Sequence, residues 1–500
     1  MKTKDKINSI LIANRGEIAI RIAKTAKKMG IKSVGIRTHK EPNAYYLTQV
    51  DKILDFPERE KDSVPEFLDI ESLVLLAKRN KIDAIHPGYG YLSENAQFAI
   101  RCTEEGIIFI GPSPRVIQNM GDKIVAKEIA AKGNVPMLGG SKGCVDTLDE
   151  ALEIAKQIGY PLIIKASAGG GGRGMRIVRK QSEMKQMYFS ASSEALAAFN
   201  NPSVFIEKYL ENPRHVEVQI VADSFGNVIH LGERECSVQR KHQKLLEEAP
   251  SSALDENLRK KMTDAAIALA REAGYVNLGT VEFLLDKHKN FFFMEMNTRV
   301  QVEHPVTEMI TGLDLIELQI RVANGEKLPV TQDDVKLKGW AIECRINAED
   351  VQAGFSPYLG VIKALRIPQG EGVRIDSGVV VGSEITQYFD SMVAKLIVHA
   401  EDRESVIEKT IKALDEFQIK GIKTTIPFDK AVLHNEVFQK GEFDTSFIEK
   451  EMTSMVYKDE QEELFAALFS VDHFRKQNLL PETSEDTIDL WMLKNRINNM

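Results

Sequence analysis

Residues 163–178 read IIKASAGGGGRGMRIV, with four consecutive glycines between two apolar runs. Glycines 169, 171 and 174 match the G-x-G-x-x-G pattern of dinucleotide-binding folds, in which the glycines open a helix whose N-terminus meets a pyrophosphate. Here the β-branched residues Ile177 and Val178 follow the glycines and favour a strand instead. The stretch therefore predicts a hairpin, made of a strand, a glycine loop and a second strand.

The Walker pattern G-x-x-x-x-G-K-[ST] does not occur in the sequence either. A glycine loop with Lys165 before it and Arg173 within it can fold over nucleotide phosphates. Glycine lets backbone N–H groups approach the phosphates closely, and the two side chains add positive charge. The alternative interpretation of this segment is a flexible linker.

Whole-chain properties limit the class of protein. The 500 residues suffice for about three domains, and the net charge of -8 argues against non-specific nucleic-acid binding. The apolar runs are shorter than the roughly 20 residues of a membrane span, and the N-terminus lacks a signal-peptide core. Four widely spaced cysteines favour buried reduced thiols over disulfides or a zinc site. We therefore expect a cytoplasmic protein that binds neither nucleic acid nor membrane.

The first third of the chain alternates short apolar strands with helical patterns. Strands are predicted near residues 9–13, 33–36, 84–86 and 107–110, and a helix near residues 17–29. Such alternation predicts a parallel sheet with helices on its faces. Turn-rich segments follow two of the strands, at the carboxyl edge where such sheets bind ligands.

A further stretch, residues 291–304, reads FFFMEMNTRVQVEH. In an extended strand alternate side chains share a face, so the polar residues from Glu295 to Glu303 would form one polar face. Nearby segments carry additional charge, because residues 215–220 alternate polar and apolar side chains and residues 240–244 form a basic cluster. A charge run is most often a solvated face, whereas near a polyphosphate it would contact substrate.

Residues 279–285, GTVEFLL, predict a strand that pairs with this stretch. If the connecting loop is the four residues 287–290, Glu282 faces Glu295 across the ladder. A five-residue loop would shift the register and separate the two carboxylates. Adjacent carboxylates repel unless a cation lies between them, and Mg²⁺ takes carboxylate oxygens together with phosphates. We therefore predict a magnesium-nucleotide site formed by Glu282, Glu295 and Asn297.

These segments resemble the biotin carboxylase family of the ATP-grasp superfamily from about residue 10 to about residue 449. The motifs that carry the resemblance are IANRGEIAIRI, HPGYGYLSENAQFA, MGDK, IIKASAGGGGRGM, EKYLENPRHVEVQ, RKHQKLLEEAP, EMNTRVQVEHPVTEMITG and ECRINAED. The resemblance implies a multidomain fold of α/β and α+β parts. It comprises an N-terminal Rossmann-like parallel-sheet domain (1–120), an ATP-grasp domain (121–335) with a mobile glycine-rich lid (about 138–208), a C-terminal biotin carboxylase domain (336–450) and a helical extension of unknown role (451–500).

The resemblance also implies a set of site residues. Those for ATP would be Lys123, Lys165, Gly170, Gly171, Gly172, Glu207, Lys208, Leu210, His215, His242 and Gln243. The metal ligands would be Glu282, Glu295 and Asn297, in agreement with the strand pairing. Bicarbonate would be held by Arg299, Gln301, Val302 and Lys244. Glu303 would be the general base, and Arg345 would stabilise the biotin enolate.

By the same resemblance, the substrates would be ATP with Mg²⁺ or Mn²⁺, bicarbonate, and biotin bound to a carrier. No Ala-Met-Lys-Met motif occurs, so biotin is expected on a separate carrier protein, with separate carboxyltransferase subunits and a homodimer. The leading hypothesis is the biotin carboxylase subunit of an acyl-CoA carboxylase that acts on acetyl-CoA or propionyl-CoA. The alternatives are a two-subunit pyruvate carboxylase, another ATP-grasp ligase, and a catalytically silent scaffold.

Overall fold

The structure is a computed structural model that describes residues 6–58, 64–141, 143–166, 175–199 and 201–452. The predicted lid glycines Gly170, Gly171 and Gly172 lie outside the described residues, as does all but the start of the predicted extension at 451–500. Across the described ranges, no helix is both long enough and apolar enough for a membrane crossing.

The N-terminal residues form a parallel sheet, as their alternating pattern predicts. Its strands are β1 (Ser9–Ile12), β2 (Lys32–Arg37), β3 (Lys52–Asp55), β4 (Ala84–His86) and β5 (Ile108–Phe109), and its helices are α1 (Gly16–Lys28), α2 (Ile70–Arg79) and α3 (Ala96–Glu104). The strand order is β3-β2-β1-β4-β5 with parallel pairing throughout. From β1 the chain adds β2 and β3 toward one edge of the sheet, and it then adds β4 and β5 toward the other edge. The strand order therefore reverses between β1 and β4, and parallel sheets bind ligands at such a point.

Asn14 ties together the turns that follow β1 and β4. Its side-chain Nδ2 donates to the carbonyls of Pro87, at 2.8 Å, and Tyr89, at 2.7 Å. Between them lies Gly88, with a φ of +64°, where a Cβ atom would come within 2.8 Å of the Asn14 Nδ2. Glycine is therefore required at this turn. The arrangement places the Tyr89 hydroxyl against the carboxylate of Glu17, to which it donates a hydrogen bond.

The glycine stretch connects two strands of a smaller sheet. Its elements follow α4 (Pro114–Gly121) and α5 (Lys123–Lys132) and are α6 (Leu148–Ile158), β6 (Leu162–Ala166), β7 (Met175–Val178), α7 (Met184–Phe199) and β8 (Val204–Lys208). β6 and β7 pair antiparallel, from Leu162 with Val178 to Lys165 with Met175, and β8 pairs with the other edge of β6. The two strands of the predicted hairpin are therefore confirmed.

A long antiparallel sheet contains most strands of the following region. Its first elements are β9 (Arg214–Ala222), β10 (Val228–Arg240), β11 (Gln243–Ala249), α8 (Glu256–Glu272), β12 (Asn277–Leu285), β13 (Phe291–Asn297), α9 (His304–Thr311), α10 (Leu315–Ala323) and β14 (Trp340–Asn347). The remaining elements are β15 (Glu349–Asp350), β16 (Ser356–Pro357), β17 (Gly360–Val361), β18 (Ala364–Arg366), β19 (Val373–Ser377), β20 (Glu384–Ile385), β21 (Met392–Ala400), α11 (Arg403–Glu416), β22 (Gln418–Lys420), α12 (Ile426–His434) and α13 (Glu436–Gln439).

The order of the long sheet is β13-β12-β9-β10-β11-β14-β21-β19. Strands β14, β19 and β21 follow residue 335, so the sheet continues across the boundary that the sequence suggests between the second and third domains. Side chains from both regions can therefore meet on one sheet face.

The hairpin between β12 and β13 corrects the predicted loop. The loop comprises residues 286–290, one more than predicted, and a uniform ladder from it would place Glu282 opposite Met294. The ladder instead shifts by one residue between Phe283 and Glu282, which restores the pairing of Glu282 with Glu295. The predicted carboxylate pair is therefore present, although the predicted loop length is wrong.

The polar stretch after β13 is not an extended strand, contrary to the prediction. β13 ends at Asn297, a turn occupies residues 302–303, and α9 begins at His304. Pro305 favours this start, because a proline in the first helical turn sacrifices no intrahelical hydrogen bond. The turn directs Glu303 back toward the sheet, where it contacts Lys244.

Buried ion pairs join α1 to the helices that pack against the long sheet. Arg21 contacts Glu308 at 2.6 Å and Asp314 at 2.7 Å, and Glu308 also contacts Arg374 at 2.7 Å. Apolar residues of α1, β1 and α10 belong to the same core. These contacts fix the edge of the parallel sheet relative to α9, and therefore relative to Glu303.

Candidate functional site

A row of charged side chains crosses four neighbouring strands of the long sheet. Arg234 on β10 is paired with Glu217 on β9, which is paired with Glu282 on β12, which is paired with Glu295 on β13. Direct cross-strand partners project from the same face, so three carboxylates lie side by side. Their mutual repulsion requires compensating positive charge.

Lys244 supplies much of that charge. Its Nζ lies 2.6 Å from a carboxylate oxygen of Glu217, 3.1 Å from Glu282 and 2.6 Å from Glu303. Burial opposes the charge, but the acidic groups around the ammonium raise the pKa of Lys244 well above its usual value. An ammonium has three N–H donors, and these three carboxylates can use all of them.

Glu303 is 1% exposed and bridges two cations. One carboxylate oxygen accepts from Lys244, and the other accepts from the Arg345 guanidinium at 2.9 Å. Burial opposes ionisation, but Lys244 and Arg345 hold the pKa of Glu303 well below its usual range. Glu303 is therefore an ionised carboxylate next to a guanidinium, which is a suitable arrangement for a general base beside a stabiliser of negative charge.

Arg345 also contacts Glu247, at 2.5 Å. Burial raises the pKa of Glu247 to about 7, although Arg345 opposes the shift. Glu247 is fully buried beneath the guanidinium. Contacts through both Nε and Nη2 therefore fix the direction of the Arg345 guanidinium.

Two of the predicted bicarbonate residues, Arg299 and Gln301, are in direct contact. The Arg299 guanidinium donates to the Gln301 side chain at 2.5 Å and to the Asn297 side chain at 3.1 Å, and its Nε donates to Glu94 at 2.9 Å. Gln301 in turn donates to Glu282 at 3.0 Å. The structure therefore connects the predicted bicarbonate residues to the predicted metal ligands.

The predicted metal ligands fit a hard divalent cation. Glu282 and Glu295 are direct partners, and Asn297 Nδ2 lies 2.8 Å from Glu282 Oε1. Glu295 is exposed beside the buried Glu282, so a cation there would offset the repulsion between the two carboxylates. Carboxylate and amide oxygens are the ligands that Mg²⁺ takes alongside phosphate oxygens.

A separate group of lysines lies on α5 and the small sheet. Lys165 contacts Glu207 at 2.5 Å, Lys127 contacts the other oxygen of Glu207, and Lys123 lies 5.6 Å from the Phe205 ring centre. Burial opposes ionisation, but the two lysines lower the pKa of Glu207 to about 2. Clustered ammonium groups of this kind suit a polyphosphate, which would compete with Glu207 for them.

The other predicted nucleotide residues are placed differently. His215 Nε2 lies 2.8 Å from Glu282, whereas Lys208 donates to the Tyr160 carbonyl at 2.9 Å and Leu210 is half-buried beyond β8. His242 and Gln243 are exposed at the tip of the β10–β11 hairpin. Only Lys244, from that basic cluster, enters the carboxylate group.

Several residues of the site were not predicted from the sequence. They are Glu94, Lys127, Glu217, Arg234 and Glu247. The alternation of residues 215–220 could have indicated Glu217, since it shares a strand face with His215 and Gln219. Arg234 has acidic neighbours on either side in the sequence and is 0% exposed.

Three family profiles match consecutive parts of the chain. Residues 6–117 match the profile of the biotin carboxylase N-terminal domain, and residues 343–450 match that of the biotin carboxylase C-terminal domain. Residues 122–331 between them match the profile of the carbamoyl-phosphate synthase L chain, ATP binding domain. Together they cover most of the described chain, including the charged row and the lysine group.

Known proteins are similar over nearly the same region. Biotin carboxylase from Nostoc sp. is 51% identical over 445 residues, which cover 89% of this chain and 99% of that protein. A pyruvate carboxylase subunit from Methanothermobacter thermautotrophicus is 48% identical over 461 residues, which cover 91% and 93%. The crystal structure of the biotin carboxylase domain dimer of Hydrogenobacter thermophilus 2-oxoglutarate carboxylase, with MgADP, ADP and bicarbonate, has a TM-score of 0.86 at 44% identity, covering 91% of this chain and 100% of that one.

Replacing Lys244 by methionine tests the charge balance of the site through the pH dependence of stability. In the wild type, the pKa values of Glu282 and Glu303 lie below 4.5, so the stability they contribute is present above that pH and is lost as the pH falls. In Lys244→Met, the carboxylates lose their shared cation and their pKa values rise. These two carboxylates then add a further loss of stability as the pH rises. The calorimetric melting temperature therefore decreases more steeply between about pH 5 and pH 8 in the variant than in the wild type, where buried groups such as Glu247 already lose stability over this range.

Lys260→Met is the matched control, because Lys260 is 74% exposed and pairs with the exposed Asp264. Its melting profile should run parallel to the wild-type profile. A Lys244→Met profile that is also parallel would contradict this charge balance.

Proposed function

Because the chain belongs to the biotin carboxylase family and is an ATP-dependent carboxylase, we propose that it transfers a carboxyl group from bicarbonate to biotin on a separate carrier protein. The reaction would proceed through carboxyphosphate. The observation that carries this proposal is the buried carboxylate of Glu303 between Lys244 and Arg345. This arrangement offers a base and two cations within one cluster, as a reaction of small anions requires.

In the first step, Glu303 takes the proton of bicarbonate, and a bicarbonate oxygen attacks the γ-phosphorus of ATP. The products are ADP and carboxyphosphate. Arg299, Gln301 and the Val302 backbone would orient bicarbonate, while Lys244 neutralises its charge. All three donors of Lys244 contact carboxylates, so bicarbonate would have to displace one of these carboxylates from the ammonium. The contact with Glu282, at 3.1 Å, is the longest of the three.

Glu282, Glu295 and Asn297 would hold Mg²⁺ or Mn²⁺, which neutralises charge on the nucleotide phosphates when bound. Lys123 and Lys165 would contact those phosphates, together with the lid residues Gly170, Gly171 and Gly172. Glu207, Lys208 and Leu210 would contact adenine, and His215, His242 and Gln243 would complete the nucleotide site. His242 and Gln243 lie at the exposed tip of the β10–β11 hairpin. They would therefore contact the nucleotide only when it is bound next to that tip.

In the second step, carboxyphosphate gives carbon dioxide and phosphate. Phosphate then takes the ureido N–H proton of biotin, and the biotin nitrogen attacks the carbon of carbon dioxide. Arg345 would stabilise the enolate oxygen of biotin, because its guanidinium can direct two donors to an oxyanion. The contact with Glu247 would keep that guanidinium in place.

Glu303→Gln tests the proposed base. We expect ADP release that depends on bicarbonate and is stimulated by free biotin in the wild type, and a decrease of about 100- to 10,000-fold in kcat in the variant. Glu235→Gln is the matched control, because Glu235 is also buried and pairs with an arginine, Arg214, at 2.8 Å. Glu235 follows Arg234 in β10, so its side chain lies on the opposite face of the sheet from the charged row. A wild-type rate in Glu303→Gln would overturn the role of Glu303. No stimulation of the wild type by either biotin or a biotinylated carrier would overturn the proposed function.

We also propose that the final acceptor is an acyl-CoA, acetyl-CoA or propionyl-CoA, reached through carboxyltransferase subunits, and that the chain forms a homodimer. The similarity to a biotin carboxylase that matches at nearly full length supports a separate subunit. The similarity to the Methanothermobacter pyruvate carboxylase subunit favours pyruvate as a second candidate. We keep residues 1–120, 121–335 and 336–450 as the proposed domains.

The acceptor can be tested with the native complex purified through a tag on this chain. Labelled bicarbonate and ATP are supplied with acetyl-CoA, propionyl-CoA, 2-oxoglutarate or pyruvate in separate reactions. We expect acid-stable label only with an acyl-CoA. Label in oxaloacetate instead would replace the acyl-CoA proposal with the pyruvate alternative.

A further inference from the structure

Lys395 is a fully buried lysine to which the proposed reaction assigns no role. It lies in β21, where its register partners are Arg345 on β14 and Asp376 on β19. Its exposure is 0%. A buried ammonium is unfavourable unless hydrogen bonds and opposite charges compensate for the loss of water. The groups that contact the Lys395 ammonium therefore indicate its role.

The Lys395 ammonium connects three distant parts of the chain. It donates to the backbone carbonyl of Val302 at 2.7 Å and lies 3.1 Å from a carboxylate oxygen of Glu17. Glu17 belongs to α1 and also accepts a hydrogen bond from the Tyr89 hydroxyl. The ammonium therefore ties the N-terminal sheet edge, the turn before α9 and the C-terminal strand β21 to one another.

The lysine is charged in this environment. Burial opposes the charge, but Glu17 and then Glu343 raise the pKa of Lys395. Glu343 is also fully buried, and neither of its carboxylate oxygens has a hydrogen-bond partner among the described residues. The contact with Val302 is therefore a charge-assisted hydrogen bond, which is shorter and stronger than a neutral one.

The Val302 carbonyl belongs to the peptide that joins Val302 to Glu303. Restraints on the same segment occur on either side, where Arg299 is held by Glu94 and the His304 ring contacts the Gln301 carbonyl at 2.8 Å. Lys395 acts between them, at the peptide that leads directly into the proposed base.

We propose that Lys395 is a positioning residue that orients the Val302–Glu303 peptide, and thereby sets how bicarbonate is held against Glu303. This inference rests on the proposed function. Lys395 acts through the backbone and does not itself touch the reacting atoms. A small displacement of this peptide would move the Glu303 carboxylate that follows it and the Val302 N–H of the preceding peptide, whereas the lysine group on α5 and β6 would keep its place.

The test is a pair of titrations of ADP release by the full chain carrying Lys395→Met. Bicarbonate is varied at saturating ATP, ATP is varied at saturating bicarbonate, and Mg²⁺ and biotin are saturating in both. We expect the KM for bicarbonate to rise about 10- to 100-fold, because a displacement of about 1 Å has effects of this size. The KM for ATP should keep its wild-type value. An unchanged KM for bicarbonate, or an equal rise in both KM values, would overturn the inference.

Arg403→Met is the matched control. Arg403 contacts the fully buried Glu248 at 2.8 Å, so its removal also leaves a buried carboxylate without its cation, but away from Val302. We expect a lower melting temperature with both KM values unchanged. A rise in the bicarbonate KM of this control equal to that of Lys395→Met would show a general effect of lost stability and overturn the inference.

If Lys395→Met does not fold, the double variant Lys395→Met/Glu17→Gln replaces it, because it also removes the buried negative charge that has lost its cation. The same criteria apply to its two KM values.

The activity of the wild type distinguishes failure of the proposed function from failure of the inference about Lys395. If the wild type lacks bicarbonate-dependent ADP release, the proposed function fails, whereas an active wild type with an unaltered variant removes only the role of Lys395.

Discussion

Three buried carboxylates share a single ammonium ion, and the arrangement of the site depends on that contact. The sheet supplies Glu217 and Glu282, the turn before α9 supplies Glu303, and the β10–β11 hairpin supplies Lys244. Buried ion pairs seldom add net stability, because the cost of desolvation offsets their attraction. The cluster is therefore better explained by chemistry that needs a base and cations close together than by stability.

The long sheet makes this cluster possible by crossing the region between the central and C-terminal strands. Glu217 and Glu282 lie on one side of β10 and β11, whereas Arg345 and Lys395 come from β14 and β21 on the other. The N-terminal sheet contributes Glu17 and Tyr89 at its reversal point. Residues that bind bicarbonate in our proposal are thus oriented by partners from the N-terminal region and from both parts of the long sheet.

Local sequence patterns predicted much of the fold and part of the site. The alternation of apolar strands and helices predicted the parallel sheet, and β-branched residues after the glycines predicted the β6–β7 hairpin. The pairing of Glu282 with Glu295 was predicted with a loop that is one residue too short. A bulge compensates for the difference, and strand alternation alone contains no signal for such a bulge.

Tertiary contacts account for what the sequence did not indicate. Arg234 is fully buried, and its guanidinium is paired with Glu217 on the neighbouring strand. Lys395 lies in an apolar strand, and its partner Glu17 is near the other end of the chain. Lys241 and His242 adopt positive φ angles, which turn the hairpin so that Lys244 points inward while His242 remains exposed. Burial of this kind depends on packing between distant segments, which local patterns do not encode.

The oxygen atoms of bicarbonate provide the most direct test of the central claim. If a bicarbonate oxygen attacks the γ-phosphorus, that oxygen stays on phosphate when carboxyphosphate breaks down. The measurement is mass spectrometry of the phosphate released from ATP when bicarbonate labelled with oxygen-18 is supplied in unlabelled water, before the label exchanges with solvent. We predict a single labelled oxygen in each phosphate formed. Unlabelled phosphate, whose fourth oxygen would come from water, would contradict the carboxyphosphate route.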